Sequence, residues 1–208
     1  MSWYQHRAFP AAYDFLMGMG RLDARREESL KPVRGRILEI GIGTGRNLPF
    51  YPADIDRIAG VDSNPGMLRQ LERKRARSAI ELELHHASAD EMPFPDASFD
   101  TVVSTHVLCS LPNRPKALAE IQRVLRPNGR FVFLEHGLSP DAAVAKWQRR
   151  LNVVQKRFAV GCLLDVPVKD ELESAGFSFE SLRMGYQEKE SKTHSYLYEG
   201  VALPLHKG

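Results

Sequence analysis

The sequence predicts an α/β fold in which a doubly wound sheet of seven strands is mostly parallel and has an antiparallel last strand. Two observations predict it. Between residues 35 and 137, short apolar runs alternate with amphipathic stretches, which is the pattern of parallel strands joined by helical crossovers. After residue 176, two strand-like runs follow each other directly, which adds an antiparallel finish to a parallel sheet.

Each predicted strand is a short run of apolar, β-branched or aromatic residues. The third run alternates polar and apolar residues with a period of two. The seven segments are GRILEI (35–40), RIAGVD (57–62), IELELHH (80–86), FDTVVS (99–104), RFVFLEH (130–136), FSFESLRMG (177–185) and HSYLYEGVALP (194–204).

Two helices between these strands are recognised by their start signals, a capping side chain followed closely by proline. The first begins with Ser63 or Asn64 as the N-cap and has Pro65 in its first turn. The second begins at Asn113 and must end before Pro127, after which the sequence PNG turns the chain into the fifth strand.

A third helix is predicted in the stretch 139–160, with Ser139 as the N-cap and Pro140 in the first turn. Its apolar residues recur at steps of three and four and therefore share one face, while basic residues occupy much of the remainder. Such a helix packs on the sheet, roofs an apolar pocket or lies on an anionic membrane surface. The apolar set is Val144, Trp147, Leu151, Val154 and Phe158, and the basic set is Lys146, Arg149, Arg150, Lys156 and Arg157.

Composition narrows the classes of function. The chain of 208 residues can bury one sizeable core, and its 29 Lys and Arg against 26 Asp and Glu give a net charge of only +3, which is a weak field for nucleic acid. The two cysteines, Cys109 and Cys162, form no C-x-x-C pair. Since the N-terminal segment resembles neither a secretory leader nor a membrane span, we expect a cytoplasmic protein without a disulfide framework.

The sequence EIGIGTGRN, residues 39–47, follows the first predicted strand and carries glycine at alternate positions. In an open α/β sheet a ligand binds beyond the carboxyl ends of the strands, near this point. The loop lacks the last glycine of a dinucleotide fingerprint, because Arg46 stands there, and it lacks the G-K-[ST] of a phosphate loop. The glycines therefore serve a ligand of another kind.

Three carboxylates around the loop indicate which ligand it binds. Glu39 would repel a pyrophosphate and favour a positive charge. Asp62 ends the second strand, where a carboxylate can accept hydrogen bonds from both ribose hydroxyls, and Asp90 follows the third strand, where it can accept from an adenine amino group. S-adenosylmethionine combines an adenine and a ribose with an ammonium and a sulfonium.

Four segments resemble the successive motifs of class I S-adenosylmethionine-dependent methyltransferases: LEIGIGTGRNLPFYP, GVDSNPGML, SADEMPFPDASFDTVVSTHVLCSL and EIQRVLRPNGRFVFLEH. The resemblance covers residues 35–137 strongly and implies a Rossmann-like sheet, with S-adenosyl-L-methionine as cofactor and S-adenosyl-L-homocysteine as product. The sequences HVLCSLPN, FLEHG, WQ and GC are similar to the methyltransferase-like family whose animal members methylate alkyl thiols on lipid membranes. The chain resembles ubiquinone/menaquinone and phospholipid N-methyltransferases less closely.

The resemblance also implies a role for individual residues. The loop glycines would let the backbone approach the methionyl part of the cofactor, and Thr105 would contact its methionyl end. Ser63 and Met67 would flank the adenine, whose edge Ala89 and Asp90 would hold. The complete cofactor-binding set that it implies is Glu39, Gly41, Gly43, Thr44, Gly45, Asn47, Asp62, Ser63, Met67, Ala89, Asp90 and Thr105.

We expect a single methyltransferase domain, residues 1–208, in four parts. They are an N-terminal helical lid (1–34), a cofactor-binding core (35–137), a helical substrate cover (138–176) and the last two strands (177–208).

Methyl transfer from a sulfonium requires an oriented nucleophile and the exclusion of water, and it requires a base only if the acceptor arrives protonated. His136 and His106 are the imidazoles that this fold brings to the ligand edge, and either could take a proton near neutral pH. Tyr13, in the predicted lid, could contact the sulfonium or the acceptor. Each of the three is thus a candidate catalytic residue. The alternatives are that His136 hydrogen-bonds a neighbouring loop, that His106 covers the cofactor and that Tyr13 only packs within the lid.

Metal binding is not predicted from the sequence. His85 and His86 end the third strand without a partner at metal-ligand spacing. Cys109 is expected to be a small buried hydrophobic residue rather than a nucleophile.

These observations predict a methyltransferase that acts on a small hydrophobic acceptor, with a thiol or another chalcogen preferred. The alternative is a phospholipid (phosphatidylethanolamine) or quinone-type N-, C- or O-methyltransferase, for which the basic helix would be a peripheral membrane anchor. A third possibility is a non-catalytic module that only holds the cofactor. RNA methylation is disfavoured, because the sequence shows no basic stripe with interleaved aromatic residues.

Overall fold

The computed structural model describes residues 22–75, 79–159, 161–188 and 190–205. Its seven strands form one sheet of order β3-β2-β1-β4-β5-β7-β6, in which every neighbouring pair is parallel except the two that contain β7. The predicted sheet, with its antiparallel last strand, is confirmed. The strands are β1 (Ile37–Ile40), β2 (Arg57–Asp62), β3 (Glu81–His86), β4 (Phe99–Thr105), β5 (Leu125–His136), β6 (Phe177–Tyr186) and β7 (Tyr196–Pro204).

The helices of the described residues are α1 (Asp23–Leu30), α2 (Pro65–Lys74), α3 (Arg114–Val124), α4 (Ala142–Phe158) and α5 (Val168–Ser174), with short 3₁₀ helices at Leu48–Phe50 and Leu108–Ser110. Asn64 caps α2 by accepting a hydrogen bond from the backbone N–H of Gly66, and Asn113 caps α3 in the same way from Lys116. Within the described ranges no helix combines the length and the apolar character needed to cross a bilayer.

Alternate residues of the central strands enter two separate apolar layers, because successive side chains of a strand point to opposite faces. In β5, Phe131 and Phe133 pack in the layer that contains α3 and α5, whereas Val132 between them packs in the layer that contains residues of α1 and α2. All three are almost completely buried. The helices therefore cover both faces, as a doubly wound sheet requires.

Two predicted boundaries were wrong. β5 begins at Leu125 rather than at Arg130, the residue after PNG, and its pairing with β4 contains a register shift that accommodates the extra residues. The N-cap of α4 is Asp141, not Ser139, and Pro140 precedes the helix. The Asp141 carboxylate accepts a hydrogen bond from the backbone N–H of Ala143, a position where a negative charge also complements the helix dipole.

The buried face of α4 also differs from the predicted apolar stripe. Val144 is buried, but Trp147 and Val154 are 56% and 57% exposed, and the side chain of Phe158 lies outside the description. The buried positions include Gln148 and Asn152 instead. Polar anchors rather than an apolar stripe fix this helix.

Each anchor makes hydrogen bonds to the loops beside the helix. The Gln148 amide donates to the carbonyl oxygens of Gly137 (3.0 Å) and Thr193 (3.1 Å) and accepts from the Ser139 N–H (3.0 Å). Asn152 accepts from the Leu164 N–H at 2.8 Å. Buried amides with satisfied partners specify one orientation of the helix.

Candidate functional site

The loop after β1 has three glycines in the left-handed region, at φ of +57° for Gly41, +56° for Gly43 and +77° for Gly45. A Cβ on Gly41 would lie 2.5 Å from Cγ2 of Val107, so this glycine is where the chain after β4 packs on the loop. A Cβ on Gly43 would meet only the Gly41 carbonyl oxygen, at 3.7 Å, among the described residues. The backbone at Gly43 is therefore open to close approach by a ligand.

Asp62, the last residue of β2, is bound to that open part of the loop. Its carboxylate accepts a hydrogen bond from the Gly43 N–H at 2.9 Å and another from the Asn64 N–H at 2.7 Å. Burial raises the pKa of Asp62, and these two hydrogen bonds oppose the rise. Because a carboxylate has about four acceptor sites, roughly two remain for ligand hydroxyls.

Glu39, in β1, supports the loop from below. Its carboxylate is 3% exposed and accepts hydrogen bonds from the Tyr51 hydroxyl at 2.8 Å and from the Asn47 side-chain amide at 2.9 Å. Burial raises the pKa of Glu39 to about 7, although Tyr51 and the charge of Arg26 act in the opposite direction. The carboxylate therefore stabilises the loop and presents little charge to its outer face.

Asn47 connects three elements at the base of the site and is 1% exposed. Besides Glu39, its amide group donates to the Thr105 hydroxyl at 3.0 Å, and its carbonyl oxygen accepts from the Arg26 guanidinium at 2.5 Å. Thr105 ends β4 and Arg26 lies in α1, so one side chain joins the glycine loop, the sheet and the N-terminal helix. Thr44, in the loop itself, is also buried.

The residues assigned to the adenine follow β2 and β3, which pair in parallel as far as Asp62 and His86. Their carboxyl ends therefore meet at one edge of the sheet. The Asp90 carboxylate accepts a hydrogen bond from the Ser88 hydroxyl, and His86 Nε2 lies 3.1 Å from the Ser63 carbonyl oxygen. Met67 and Ala89 are buried beside them.

His106 and His136 meet on the other side of the loop, with ring centroids 5.7 Å apart and planes 27° from parallel. His106 has φ of +56°, and its buried Nε2 has no hydrogen-bond partner within the described ranges. Burial holds the pKa of His106 well below its usual range, so the ring is neutral at physiological pH. A buried, unpaired ring nitrogen at a strand end is suited to a ligand that donates or accepts one hydrogen bond.

Glu135 positions this segment, and sequence reasoning assigned it no role. Its carboxylate accepts from the Val107 N–H at 2.9 Å, the Leu108 N–H at 3.2 Å and the Ser104 hydroxyl at 2.5 Å. Burial raises the pKa of Glu135 to about 7, against the effect of these hydrogen bonds. The sequence did contain a signal for this role, because Glu135 is the only acidic residue in the otherwise largely apolar run RFVFLEH.

Sequence reasoning also missed a cluster of two cysteines and a histidine. Cys109 follows β4, Cys162 follows α4, and their Sγ atoms lie 3.5 Å apart. Cys162 Sγ also lies 3.3 Å from His136 Nε2. The hydrogen bond between the two thiols and the contact with His136 lower the pKa of Cys162, whereas the pKa of Cys109 is raised. The two cysteines are 53 residues apart in the chain, so no short sequence motif indicated that they are in contact.

Tyr13, the third candidate catalytic residue, lies outside the described residues, as does most of the predicted lid. The described part of that lid contains α1, which binds the sheet through a salt bridge of 2.8 Å between Arg25 and Glu199.

The strand order reverses between β1 and β4, and the glycine loop and Asp62 lie at the carboxyl ends of β1 and β2. This arrangement is typical of nucleotide-binding α/β proteins, in which the ligand lies at the switch point of the sheet.

Comparisons with known proteins identify the family. Residues 38–133 match a methyltransferase domain. The chain is 37% identical to thiol S-methyltransferase TMT1B of Rattus norvegicus over 68% of its own length and 59% of that protein, so it spans less than two thirds of this relative. It is 34% identical to phosphatidylethanolamine N-methyltransferase of Cereibacter sphaeroides, over 65% of the chain and 70% of that protein.

A solved S-adenosylmethionine-dependent methyltransferase of Thermotoga maritima, described as a possible histamine N-methyltransferase, has the same fold with a TM-score of 0.69. It is 20% identical and covers 97% of both chains. The chain belongs to the class I S-adenosylmethionine-dependent methyltransferases, and its cofactor is S-adenosylmethionine.

Proposed function

We propose that this methyltransferase transfers the methyl group to the sulfur of a small apolar thiol. One observation carries the proposal: the neutral His106 ring, whose buried Nε2 has no partner among the described residues, lies at the end of β4 beside the cofactor loop. The surroundings are apolar, because Val107, Leu108 and Cys109 are buried there. An environment of this kind favours an uncharged acceptor over an ammonium group. The similarity to a thiol S-methyltransferase supports the same choice.

The residues on the cofactor side fit S-adenosylmethionine. Gly43 leaves room for the methionyl part against the loop backbone, and the fixed Asp62 carboxylate has acceptor sites for the ribose hydroxyls. Ser63, Met67, Ala89 and Asp90 would surround the adenine. Four further residues support the glycine loop from its buried side and hold it in one conformation through hydrogen bonds or burial. They are Glu39, Thr44, Asn47 and Thr105.

The bound cofactor supplies a methyl group made electrophilic by its sulfonium. His106 Nε2 accepts a hydrogen bond from the acceptor's S–H group and takes its proton as the new carbon–sulfur bond forms, when that sulfur has become strongly acidic. His106 is itself held by the strand end that Glu135 fixes. Val107 and Leu108, which follow His106 in the chain, are buried and keep this region apolar. Orientation of the acceptor against the methyl group can supply roughly 7–11 kcal/mol of a reaction barrier.

The test is an acceptor panel of alkyl thiols, amines, quinols and phospholipids, scored by release of S-adenosylhomocysteine and by the mass of the methylated product. We expect S-methylated alkyl thiols from the wild-type protein. Turnover of amines or quinols without any turnover of thiols would reject the proposal.

The role of His106 is tested by His106→Asn, because asparagine tolerates a positive φ but lacks the ring nitrogen. The expected loss in kcat is about 100-fold or more, the usual scale of general base catalysis. Binding of the cofactor should be unchanged. The matched control is His85→Gln, on the outermost strand β3, which should leave kcat unchanged.

A second candidate is N-methylation of a phospholipid headgroup, and the outer face of α4 favours it. Trp147 and Val154 are more than half exposed, and Arg150 lies over the Trp147 ring at 5.3 Å. Exposed apolar residues beside basic ones are typical of helices that lie on anionic membranes. Flotation with vesicles that contain phosphatidylserine decides the point: binding that Trp147→Ser abolishes, together with methylation of phosphatidylethanolamine, would favour this candidate.

A further inference from the structure

Three soft donor groups converge between the ends of β4 and β5 and the chain after α4. They are the thiols of Cys109 and Cys162 and the Nε2 atom of His136, and all three donor atoms lie within 4.8 Å of one another. Cys109 is buried and Cys162 partly buried, so the group is largely shielded from solvent. Hydrogen bonds of the Cys162 thiol would account for the two short contacts. A bound metal ion would account for the convergence of all three donors.

The spacing of the donors fits a tetrahedral metal site. Zinc bonds of about 2.3 Å to sulfur and about 2.0–2.1 Å to nitrogen place the ligand atoms of a tetrahedron roughly 3.5–3.8 Å apart. The observed separations are 3.5 Å between the two sulfurs and 3.3 Å between Cys162 Sγ and His136 Nε2. A disulfide would instead require the sulfurs to close to about 2.05 Å.

Each ligand is also held in place by its surroundings. The Leu163 N–H donates to the Cys109 carbonyl oxygen at 2.9 Å, which ties the two cysteine segments together. The side-chain amide of Gln155, in α4, points at Cys162 Sγ from 3.9 Å. A donor aimed at a sulfur ligand is a common outer partner in metal sites, where it orients and tunes the ligand.

We propose that Cys109, His136 and Cys162 bind one zinc ion as a three-ligand site with an open fourth position. Both thiols release their protons to solvent as the two zinc–sulfur bonds form, and no electron transfer is involved. Sites with three protein ligands leave the fourth position for a substrate or water. The fourth ligand here is the sulfur of the acceptor thiol, whose proton passes to His106.

That last step rests on the proposed function, whereas the binding of zinc does not. The two parts are therefore tested separately, and the first test contains no acceptor and no cofactor.

Metal binding is measured on the reduced, metal-free protein with Co²⁺ as a spectroscopic probe and with Zn²⁺ in competition against a chromophoric chelator. We expect one ion per chain, a thiolate-to-cobalt charge-transfer band, the visible bands of tetrahedral cobalt, and displacement of the cobalt by zinc. Cys109→Ser, Cys162→Ser and His136→Gln should each weaken binding by more than the ~10–100-fold that loss of an outer partner produces. His85→Gln is the matched control and should bind like the wild type.

Failure of the reduced wild-type protein to take up either ion would overturn the site, and so would uptake that Cys162→Ser leaves unchanged in a folded protein. Isolation of a Cys109–Cys162 disulfide whose reduction yields no metal-binding species would identify a redox pair instead. Circular dichroism of each variant separates loss of a ligand from loss of the fold.

The second test compares the methylation of an alkyl thiol by the metal-free and the zinc-loaded protein. We expect the rate to rise on loading in the wild type and not in Cys162→Ser. Equal rates would remove the activating role of the metal. An inactive protein that keeps the cobalt spectrum would count against the proposed function alone.

Discussion

Asp62 Oδ2 accepts a hydrogen bond from the Gly43 N–H at 2.9 Å, so the acid that ends β2 and the loop that follows β1 form one structural unit. Replacing Asp62 therefore removes both the proposed acceptor for the ribose hydroxyls and the restraint on the loop.

For Asp62→Ala we expect binding of S-adenosylmethionine to weaken by at least about 10–100-fold, because a hydrogen bond to a charged group contributes roughly 1.5–3 kcal/mol. Isothermal titration calorimetry measures the effect. Asp54→Ala, on an exposed loop, is the control and should bind like the wild type. A titration curve for Asp62→Ala that matches the wild type would contradict the assignment.

Substitutions of two loop glycines should affect different properties, stability in one case and cofactor binding in the other. Gly41→Ala and Gly43→Ala both place a side chain at a positive φ, at roughly 1–2 kcal/mol each. Only Gly41→Ala also brings a Cβ to 2.5 Å from Val107. We expect Gly41→Ala to lower the free energy of unfolding clearly more, and Gly43→Ala to lower cofactor affinity in protein that remains folded. Denaturant unfolding and titration of the same samples measure both, and full affinity in Gly43→Ala would show that no ligand lies there.

Glu39 should make stability depend on pH. Its pKa is raised to about 7 in the folded protein by burial, above the ordinary value of 4.5. The unfolded chain therefore loses this proton first, and the contribution of Glu39 to stability is full below the ordinary value and is lost as the pH rises toward 7. The steepest dependence is about 1.4 kcal/mol per pH unit. Because the folded group is itself half ionised near pH 7, the loss between pH 5 and pH 7 is about 2 kcal/mol.

The measurement for Glu39 is urea unfolding of the wild type and of Glu39→Gln near pH 5 and near pH 8. Glutamine mimics the neutral acid, so the variant should lack this part of the pH dependence. Parallel pH profiles for the two proteins would mean that the Glu39 carboxylate ionises as easily in the folded state as in the unfolded chain.

The two faces of α4 should separate stability from acceptor binding. Gln148→Ala leaves the Ser139 N–H and the Gly137 carbonyl oxygen without their partner, and we expect a loss of about 1–3 kcal/mol in the free energy of unfolding. Trp147→Ser changes an exposed residue and should alter stability by less than about 1 kcal/mol while raising KM for long-chain thiols. Thermal unfolding and steady-state kinetics provide both readings. An unchanged KM across a series of chain lengths would remove Trp147 from the acceptor site.

The sheet and the cofactor loop could be predicted because their signals are local. Short runs of apolar residues marked the strands, and the glycine spacing with Glu39 and Asp62 marked the ligand end of the sheet. The roles of these residues in cofactor binding remain predictions.

The features that the sequence did not reveal depend on contacts between distant parts of the chain. Cys109, His136 and Cys162 meet only after β4, β5 and α4 are in place. The orientation of α4 was mispredicted because apolar spacing favoured Trp147, whereas the fold buries Gln148, whose amide finds backbone partners in two loops. Hydrophobic periodicity cannot detect a buried face that is stabilised by hydrogen bonds.

The polar attachment of α4 has a consequence for how such enzymes diverge. Gln148 secures the helix through main-chain groups, whose chemistry is the same whatever side chains the neighbouring loops carry. Asn152 adds a bond from the Leu164 N–H and one to the Asp165 carboxylate. Mutations on its outward surface can therefore accumulate with little penalty to folding. Lineages that retain the two amides are free to explore new acceptors, and a library that randomises Trp147, Val153 and Val154 would be a sensible starting point for directed evolution.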